Sequence, residues 1–181
     1  RDAGIHLMGC GVVYMPGDEE IIRNVFEYAK TAGMPVITAS PDHDALPFCN
    51  KMVQEYDIKI AIHNHGPGDE KYPLATDAYA LVKDLDPRMG FCPDIGHITR
   101  IGGDPIKEIL AVADRMHDFH IKDVTGTKPE DTTCEIGRGV IGMAEVLRTL
   151  LKLGYQGHVA LEFEKDPDSP VPGMAESLGY V

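Results

Sequence analysis

Stretches of hydrophobic residues with strand-like spacing alternate along the chain with stretches that have the spacing of amphipathic helices. Residues 18–32 show the helical pattern, with one hydrophobic face and a glycine, Gly33, directly after it. Residues 58–63 show the strand pattern, with isoleucine at every second position. Alternation of this kind is typical of an α/β protein with a parallel sheet.

The pattern predicts six strand–helix units and no internal boundary, so residues 1–181 are expected to form a single domain. The strands are predicted at residues 4–9, 35–39, 58–63, 89–93, 117–121 and 158–163. The helices after them are predicted at about 18–32, 45–56, 75–85, 105–115 with Asp104 as the N-cap, 143–153 with Gly154 as the stop, and beyond a proline-rich loop at 166–173. A long polar segment, 125–138, separates the fifth strand from its helix.

The amino-acid composition argues against some classes of binding partner. The chain has 17 basic and 29 acidic side chains and a formal net charge of -12, which disfavours nucleic acid and anionic membranes. No apolar run approaches the roughly 20 residues of a membrane-spanning helix, so a soluble, cytoplasmic protein is expected. Because the chain starts at Arg1 rather than methionine, a targeting segment could precede it. The four cysteines form no CxxC pair and are interpreted as buried, reduced thiols.

Residues that can bind metals or sugars cluster at the carboxyl ends of four predicted strands. In parallel α/β folds this edge is where functional sites are built. The clusters are His63 with His65, Asp94 with His97, His120 with Lys122, and Glu162 with Glu164. A single histidine or glutamate at such a place is more often structural or solvated, but four clusters at one edge favour a site.

Side-chain alternation supports the same conclusion. On the last strand, Val159 is predicted to pack against helices while Glu162 points inward, and His63 likewise lies opposite the isoleucines of its strand. An imidazole and carboxylate cluster in a dry interior requires a neutralising cation, so we predict one divalent metal, Mn, Zn, Mg or Co. Arg138, in the loop at this edge, is a candidate for binding a substrate hydroxyl, carboxylate or phosphate.

Four segments, CPDIGH, FHIKD, EIGRGVIG and GHVALEFE, resemble the sugar phosphate isomerase/epimerase family, whose fold is the xylose isomerase-like (β/α)8 TIM barrel. The resemblance extends over nearly the whole chain. Transferred by position, it implies that Asp94, His120 and Glu162 bind the metal. The fourth ligand, a glutamate in the family, falls on His63. The resemblance further implies that His97 and Arg138 contact the substrate.

The resemblance implies a divalent-metal-dependent isomerase or epimerase that acts on a sugar or sugar derivative through an enediolate. Glu162 would be one acid/base group and His63 the other, while His65 and Lys122 are further candidates for substrate binding. Since His63 replaces a glutamate, a metal-dependent lyase, dehydratase or hydrolase is an alternative, with nuclease activity the least favoured. A non-catalytic carbohydrate-binding subunit is a third possibility.

The number of units predicts an incomplete barrel. A (β/α)8 barrel typically has about 250 residues and eight units, whereas the pattern predicts six. We therefore expect the first two units to be missing, which would leave two sheet edges with unpaired backbone groups. We expect completion by a missing N-terminal segment or by another chain, or assembly as a homo-oligomer.

Overall fold

The structure, a computed structural model, describes residues 3–181. Its longer elements in chain order are β1 (Gly9–Met15), α1 (Glu19–Ala32), β2 (Val36–Pro41), α2 (Leu46–Tyr56), β3 (Lys59–His63), α3 (Ala75–Val82), β4 (Met89–Cys92), α4 (Ile95–Arg100), α5 (Pro105–Val112), β5 (Asp118–Ile121), β6 (Asp123–Val124), β7 (Thr133–Cys134), α6 (Met143–Leu153), β8 (His158–Leu161) and α7 (Val171–Tyr180). Short 3₁₀ turns, His43–Ala45 and Ala113–Arg115, precede α2 and follow α5. No helix of the described residues is both long and apolar enough to cross a membrane.

Six of the strands form an arc of parallel neighbours. Strands β1, β2, β3 and β4 pair in that order, and β5 pairs with β8. Two isolated bridges, Phe91 with Met116 and Asp94 with His120, connect the β4 and β5 regions. This is the wall of a TIM barrel, as the sequence predicts. Within residues 3–181 no pairing joins β1 to β8, so the barrel is not closed.

The hydrophobic core lies between this arc and the helices outside it. One cluster fills the space between β1–β4 and helices α1–α3, with Phe26, Ile60 and Met89 fully buried. A second cluster, which includes Phe119 and Leu150, packs α5 and α6 against β5. The four inner strands are thus covered by helices, which fixes the positions of their carboxyl ends.

Capping residues set the helix boundaries, and the sequence predicts three of them, Gly33, Asp104 and Gly154. The Asp18 side chain accepts hydrogen bonds from the first turn of α1, and Gly33 ends the helix at φ 75°. Asp104 caps α5 in the same way, and Gly154 ends α6 at φ 65°. Short polar side chains and left-handed glycines therefore set these boundaries.

The prediction for the first strand is wrong: β1 lies at Gly9–Met15 rather than at residues 4–9. Glycines 9 and 11 obscure the strand pattern, because glycine usually weakens a strand. At Gly11 the backbone approaches β2 so closely that a Cβ would lie 2.3 Å from the Thr38 carbonyl oxygen. The β1–β2 register also shifts between Cys10 and Val13, so the alternation is interrupted.

Three further features differ from the predicted pattern. Helix α4 directly follows Asp94, which caps it, and six residues are too few for a clear helical period. The polar segment after β5 contains an antiparallel hairpin, because β6 pairs with β7. Val159, predicted to be covered by helices, is 37% exposed because β8 forms an edge of the arc.

Replacement of Gly90 by alanine tests how tightly β4 and β5 approach each other. An added Cβ would lie 2.1 Å from the Arg115 carbonyl oxygen and 2.3 Å from the His117 ring. We expect overpacking to lower the free energy of unfolding by about 1–3 kcal/mol, measured by urea denaturation. Gly179→Ala is the control, since a Cβ there meets nothing within 4 Å. Equal midpoints for the two variants would contradict this packing.

Candidate active site

The carboxyl ends of β3, β4, β5 and β8 bring the four predicted metal ligands together. The Nε2 atom of His63 lies 3.6 Å from Asp94 Oδ2 and 3.4 Å from Glu162 Oε2. His120 Nδ1 forms a hydrogen bond with Glu162 Oε2 and lies 3.9 Å from Asp94 Oδ2. Two carboxylate oxygens and two imidazoles therefore face one small volume.

Several polar atoms of this volume are buried without a hydrogen bond. Both ring nitrogens of His63, the Oδ2 atom of Asp94 and Nδ1 of His97 have no partner among the described residues. Buried polar groups are nearly always paired, because an unpaired one costs free energy. One ligand atom each from His63, Asp94, His97 and Glu162 can be chosen so that all lie within 4.8 Å of one another; His97 stands here in place of the predicted His120, which forms a second such group with Cys92 and Asp118. Mixed nitrogen and carboxylate donors at this spacing fit a divalent cation.

The acidic and basic groups of the cluster shift each other's pKa values. Burial lowers the pKa of His63, but the adjacent Asp94 and Glu162 carboxylates outweigh it and raise the pKa to about 9. Burial raises the pKa of Glu162, but its contacts with His120, His63 and Asp94 hold the pKa far below its usual range. The pKa of Asp94 is likewise lowered, since His63 and Lys122 outweigh its burial. Without a metal, the His63 imidazolium offsets part of the carboxylate charge.

Lys122 provides a second internal positive charge. The residue is 0% exposed, and its Nζ lies 2.8 Å from Glu164 Oε2, 3.3 Å from Glu162 Oε1 and 3.4 Å from Asp94 Oδ2. Burial lowers the pKa of Lys122, but these carboxylates outweigh it and raise the pKa. The ammonium group is therefore enclosed by acids, and a substrate contact of Lys122 stays a prediction.

Two more histidines lie next to the cluster. His97 is buried in α4, and burial together with Lys122 and other nearby cations lowers its pKa to about 4, so its ring is neutral. The ring of His65 lies with its centroid 4.6 Å from that of His97 and 5.9 Å from that of His63. His65 is exposed. It is thus placed where a molecule that approaches the cluster from solvent would meet it.

Arg138 is not joined to this cluster by any hydrogen bond of the described residues. Its guanidinium group donates two hydrogen bonds to Glu176 on α7, and its side chain is 63% exposed. A role in substrate binding would require Arg138 to exchange this ion pair for a ligand. That role also stays a prediction.

Two positioning residues had no clear signal in the sequence. Asn64 lies between the two histidines after β3; its Nδ2 donates to the carbonyl oxygen of Asp94, and its Oδ1 accepts from the backbone N–H of Asp94. Asp123 accepts hydrogen bonds from the backbone N–H groups of Val124, Gly137, Gly139 and Ile141. Asn64 thereby aligns two strand ends, and Asp123 fixes the loop that contains Arg138. The available sequence signal for Asp123 was its place at the end of the FHIKD segment, whereas its glycine partners lie 14 and 16 residues later.

Beneath the cluster, Asp118 accepts a hydrogen bond of 2.7 Å from Thr38 Oγ1, which links β5 to β2 across the interior. Asp118 also lies 3.3 Å from His158 Nδ1 and 3.8 Å from His120 Nε2. These residues line a cavity of about 160 Å³ that both edge strands, β1 and β8, border. The cavity marks the gap at which the barrel wall is open.

The sequence matches a known family profile. Residues 18–181 match the family described as xylose isomerase-like TIM barrel. The rhizopine catabolism protein MocC of Rhizobium meliloti is 27% identical over 141 residues, which are 70% of this chain and 43% of that protein. Inosose dehydratase of Lactiplantibacillus plantarum is 27% identical over 138 residues, or 67% of this chain and 45% of that enzyme.

A solved structure has the same fold as this chain. A D-tagatose 3-epimerase-like protein superimposes with a TM-score of 0.73 at 24% identity, covering 90% of this chain and 69% of that one. At this identity the similarity concerns the fold alone. The chain spans less than half the length of the two curated relatives described above.

Replacement of Asp123 by alanine tests its role in the loop. Because the backbone N–H groups of Gly137, Gly139 and Ile141 would lose their acceptor, we expect faster hydrogen exchange at residues 137–141. Mass spectrometry of peptic peptides measures this change. Asp104→Ala is the matched control and should speed exchange only at the start of α5. Unchanged exchange at residues 137–141 would refute the role.

Proposed function

Because the chain belongs to the xylose isomerase-like TIM barrel family, we propose that it carries the metal site of an enzyme that transfers a proton at a sugar carbon next to a carbonyl group. The substrate is a sugar or sugar derivative, and the leading reaction is isomerisation or epimerisation through an enediolate. The observation that supports this best is the group of buried, unpaired ligand atoms around Asp94 Oδ2.

Four residues are proposed to hold one divalent metal, Mn, Zn, Mg or Co: His63, Asp94, His120 and Glu162. A bound cation would polarise a substrate carbonyl and make the neighbouring C–H bond more acidic. The Glu162 carboxylate, which retains 22% exposure of its side chain, is proposed to take the proton. His63 is proposed in two alternative roles, since one ring nitrogen cannot do both at once: it would bind the cation through Nε2 after losing its proton, or it would serve as the second acid/base group while not bound to the cation.

A dehydratase is the second candidate, and it shares the first proton transfer. Inosose dehydratase is the printed name of one relative, and His63 stands where the resemblance implies a glutamate. In a dehydratase the enediolate would expel a neighbouring hydroxyl group as water rather than regain a proton at carbon. A His63 imidazolium that does not bind the cation would supply the proton that leaves with this hydroxyl group. A carbohydrate-binding protein without turnover is the remaining alternative.

The whole enzyme is proposed to need further strands at the gap between β1 and β8. Both strands have a free edge within the described residues, and Val12 and Val159 are 40% and 37% exposed. Two β/α units would pair these edges and close the cavity between them. Residues 1–181 would then be one part of a single barrel domain. Light scattering of the purified chain separates self-association from completion by another segment.

Replacement of Asp94 by asparagine tests the metal site. The change removes the central carboxylate charge, and we expect affinity for divalent metal to fall on the order of 100-fold or more. Metal analysis after dialysis and calorimetric titration with Mn²⁺ measure the loss. Asp84→Asn, at an exposed position, is the control and should bind like the wild type. Equal metal content in the two variants would contradict the proposal.

The raised pKa of His63 predicts that metal binding depends on pH. Below a pKa of about 9 the ring carries a proton that the cation must displace, so affinity should weaken by about tenfold for each pH unit below that value. Calorimetry at pH 7.5 in buffers with different ionisation enthalpies should show release of about one proton. Binding without proton release would exclude His63 as a ligand.

Replacement of Glu162 by glutamine tests the proton transfer. We expect turnover to fall by about 100-fold to 10,000-fold because the amide cannot accept the proton. The assay incubates the metal-loaded protein with ketoses, aldoses and inososes in D₂O and follows products by NMR. Deuterium in a re-formed C–H bond indicates an isomerase or epimerase, and loss of water indicates a dehydratase. Sugar binding without turnover, unaffected by chelator, would support the carbohydrate-binding alternative.

A further inference from the structure

A polar cluster of three residues, Tyr14, Asp42 and Lys71, lies at the carboxyl ends of β1 and β2 and includes none of the candidate metal ligands. The Tyr14 hydroxyl group donates a hydrogen bond of 2.7 Å to Asp42 Oδ2, and Lys71 Nζ lies 3.1 Å from Asp42 Oδ1. The same ammonium group lies 4.3 Å from the centroid of the Tyr14 ring, which is a cation–π distance. The three side chains therefore form one connected unit.

Strand register places Tyr14 on the inner face of the barrel wall. Tyr14 pairs with Ser40 of β2, which lies two residues after Thr38. Side chains two residues apart on a strand point to the same face. The Thr38 hydroxyl group points inward, because it bonds to Asp118 across the interior. Ser40 and its neighbour Tyr14 therefore face inward as well.

The same register puts Tyr14 in the row of the barrel wall that contains His63. The last listed pair of β2 and β3 joins Ala39 to Ile62, so the next residues, Ser40 and His63, are neighbours in the row above. Neighbouring strands lie about 4.8 Å apart, which places Tyr14 about 10 Å from His63 along the wall. A ligand at the candidate metal site would thus extend toward Tyr14 with the part remote from the metal.

Backbone contacts hold the cluster in position. The backbone N–H of Asp42 donates to the carbonyl oxygen of Met15 at 2.9 Å, which fixes Asp42 beside the end of β1. Next to Lys71, the fully buried Tyr72 donates its hydroxyl hydrogen to the carbonyl oxygen of Pro41 at 2.8 Å. The loop that contains Lys71 is therefore fastened to the end of β2. A ligand would meet a site that is already formed, which lowers the entropic cost of binding.

The chemistry of the cluster suits a hydroxylated, uncharged ligand. Tyr14 is 57% exposed, so ring surface remains open to a ligand although Lys71 lies over the ring. Such a ring provides an apolar surface against which the C–H groups of a sugar can pack. The side chains of Asp42 and Lys71 are each 31% exposed. A hydroxyl group can donate to the carboxylate and accept from the ammonium group.

The local charge disfavours an anionic ligand. Contacts with Tyr14 and Lys71 lower the pKa of Asp42, which keeps its carboxylate ionised and offsets the charge of Lys71. The hydrogen bond to Asp42 raises the pKa of Tyr14, and the negative charge of Asp44 adds to this effect. A phosphate or carboxylate group placed here would therefore be repelled by at least two acids.

We propose that Tyr14, Asp42 and Lys71 form a distal subsite that binds an uncharged, hydroxyl-bearing part of the substrate and selects against a phosphate or carboxylate at that end. The proposal rests on the proposed function, because it concerns the remote end of the same sugar. The substrate is accordingly a free sugar or a neutral sugar derivative rather than a sugar phosphate.

The test is a titration of metal-loaded protein with ¹³C-labelled tyrosine rings, followed by NMR. The ligands are D-fructose, D-tagatose and an inosose, together with the 6-phosphates of the two ketoses, and Tyr14→Phe identifies the Tyr14 signals. We expect a neutral sugar that binds to shift the Tyr14 ring signals, and each 6-phosphate to bind about tenfold more weakly than its neutral sugar, or weaker still. Unchanged Tyr14 signals at saturation, or a 6-phosphate that binds as tightly as its neutral sugar, would overturn the proposal.

Two variants assign the effect to the cluster. Tyr14→Ala should weaken binding of the neutral sugar by about tenfold, whereas Tyr28→Ala, at a tyrosine that is 60% exposed on α1, should bind like the wild type. Asp42→Asn should reduce the preference for the neutral sugar over its 6-phosphate by about tenfold, and Asp84→Asn should not. Equal affinities of Tyr14→Ala and Tyr28→Ala, or an unchanged preference in Asp42→Asn, would contradict the subsite. If Tyr14→Ala does not fold, the wild-type Tyr14 signals and Asp42→Asn decide the question.

The outcomes separate this proposal from the proposed function. Incorporation of deuterium from D₂O into the sugar, combined with unchanged Tyr14 signals, would overturn the subsite and leave the proposed function standing. A neutral sugar that shifts the Tyr14 signals but exchanges no C–H hydrogen and loses no water would support the subsite and count against catalysis. If none of the sugars binds, both proposals are overturned.

Discussion

The site depends on one electrostatic constraint, which is that two carboxylates, those of fully buried Asp94 and of mostly buried Glu162, face each other. Buried like charges are tolerated only when cations offset them. Here Lys122 and the protonated His63 supply that charge, and each lies within 3.6 Å of both acids. The same constraint explains why a divalent metal would fit, since it can replace the His63 proton and satisfy the unpaired atoms. In the metal-free chain, Lys122 and protonated His63 balance the charge of the two acids. In the proposed metal-bound form, the cation replaces the contribution of the His63 proton.

Strand direction accounts for much of what could be predicted from the sequence. His63, Asp94, His120 and Glu162 lie at the ends of parallel strands, so their convergence follows from topology and side-chain alternation. The family could be recognised for the same reason, because these motifs keep their order along the chain. Helices with strong caps, such as α1 and α5, were also predictable.

The remaining features depend on contacts between segments distant in sequence. Strand β1 was misplaced because its glycines serve a close approach to β2 that no local pattern reveals. The enclosure of Lys122 by three acids depends on residues from β4, β5 and β8 at once. Asn64 and Asp123 act through backbone groups of other segments. Local periodicity contains no information about such partners.

The Thr38–Asp118 hydrogen bond spans the interior of the arc and ties β2 to β5. It helps to set the curvature of the wall even though β1 and β8 do not meet. All strands that contribute to the candidate metal site lie within this braced arc. Of these strands, β8 is the one that borders the gap, so the segment that closes the barrel would lie directly beside Glu162.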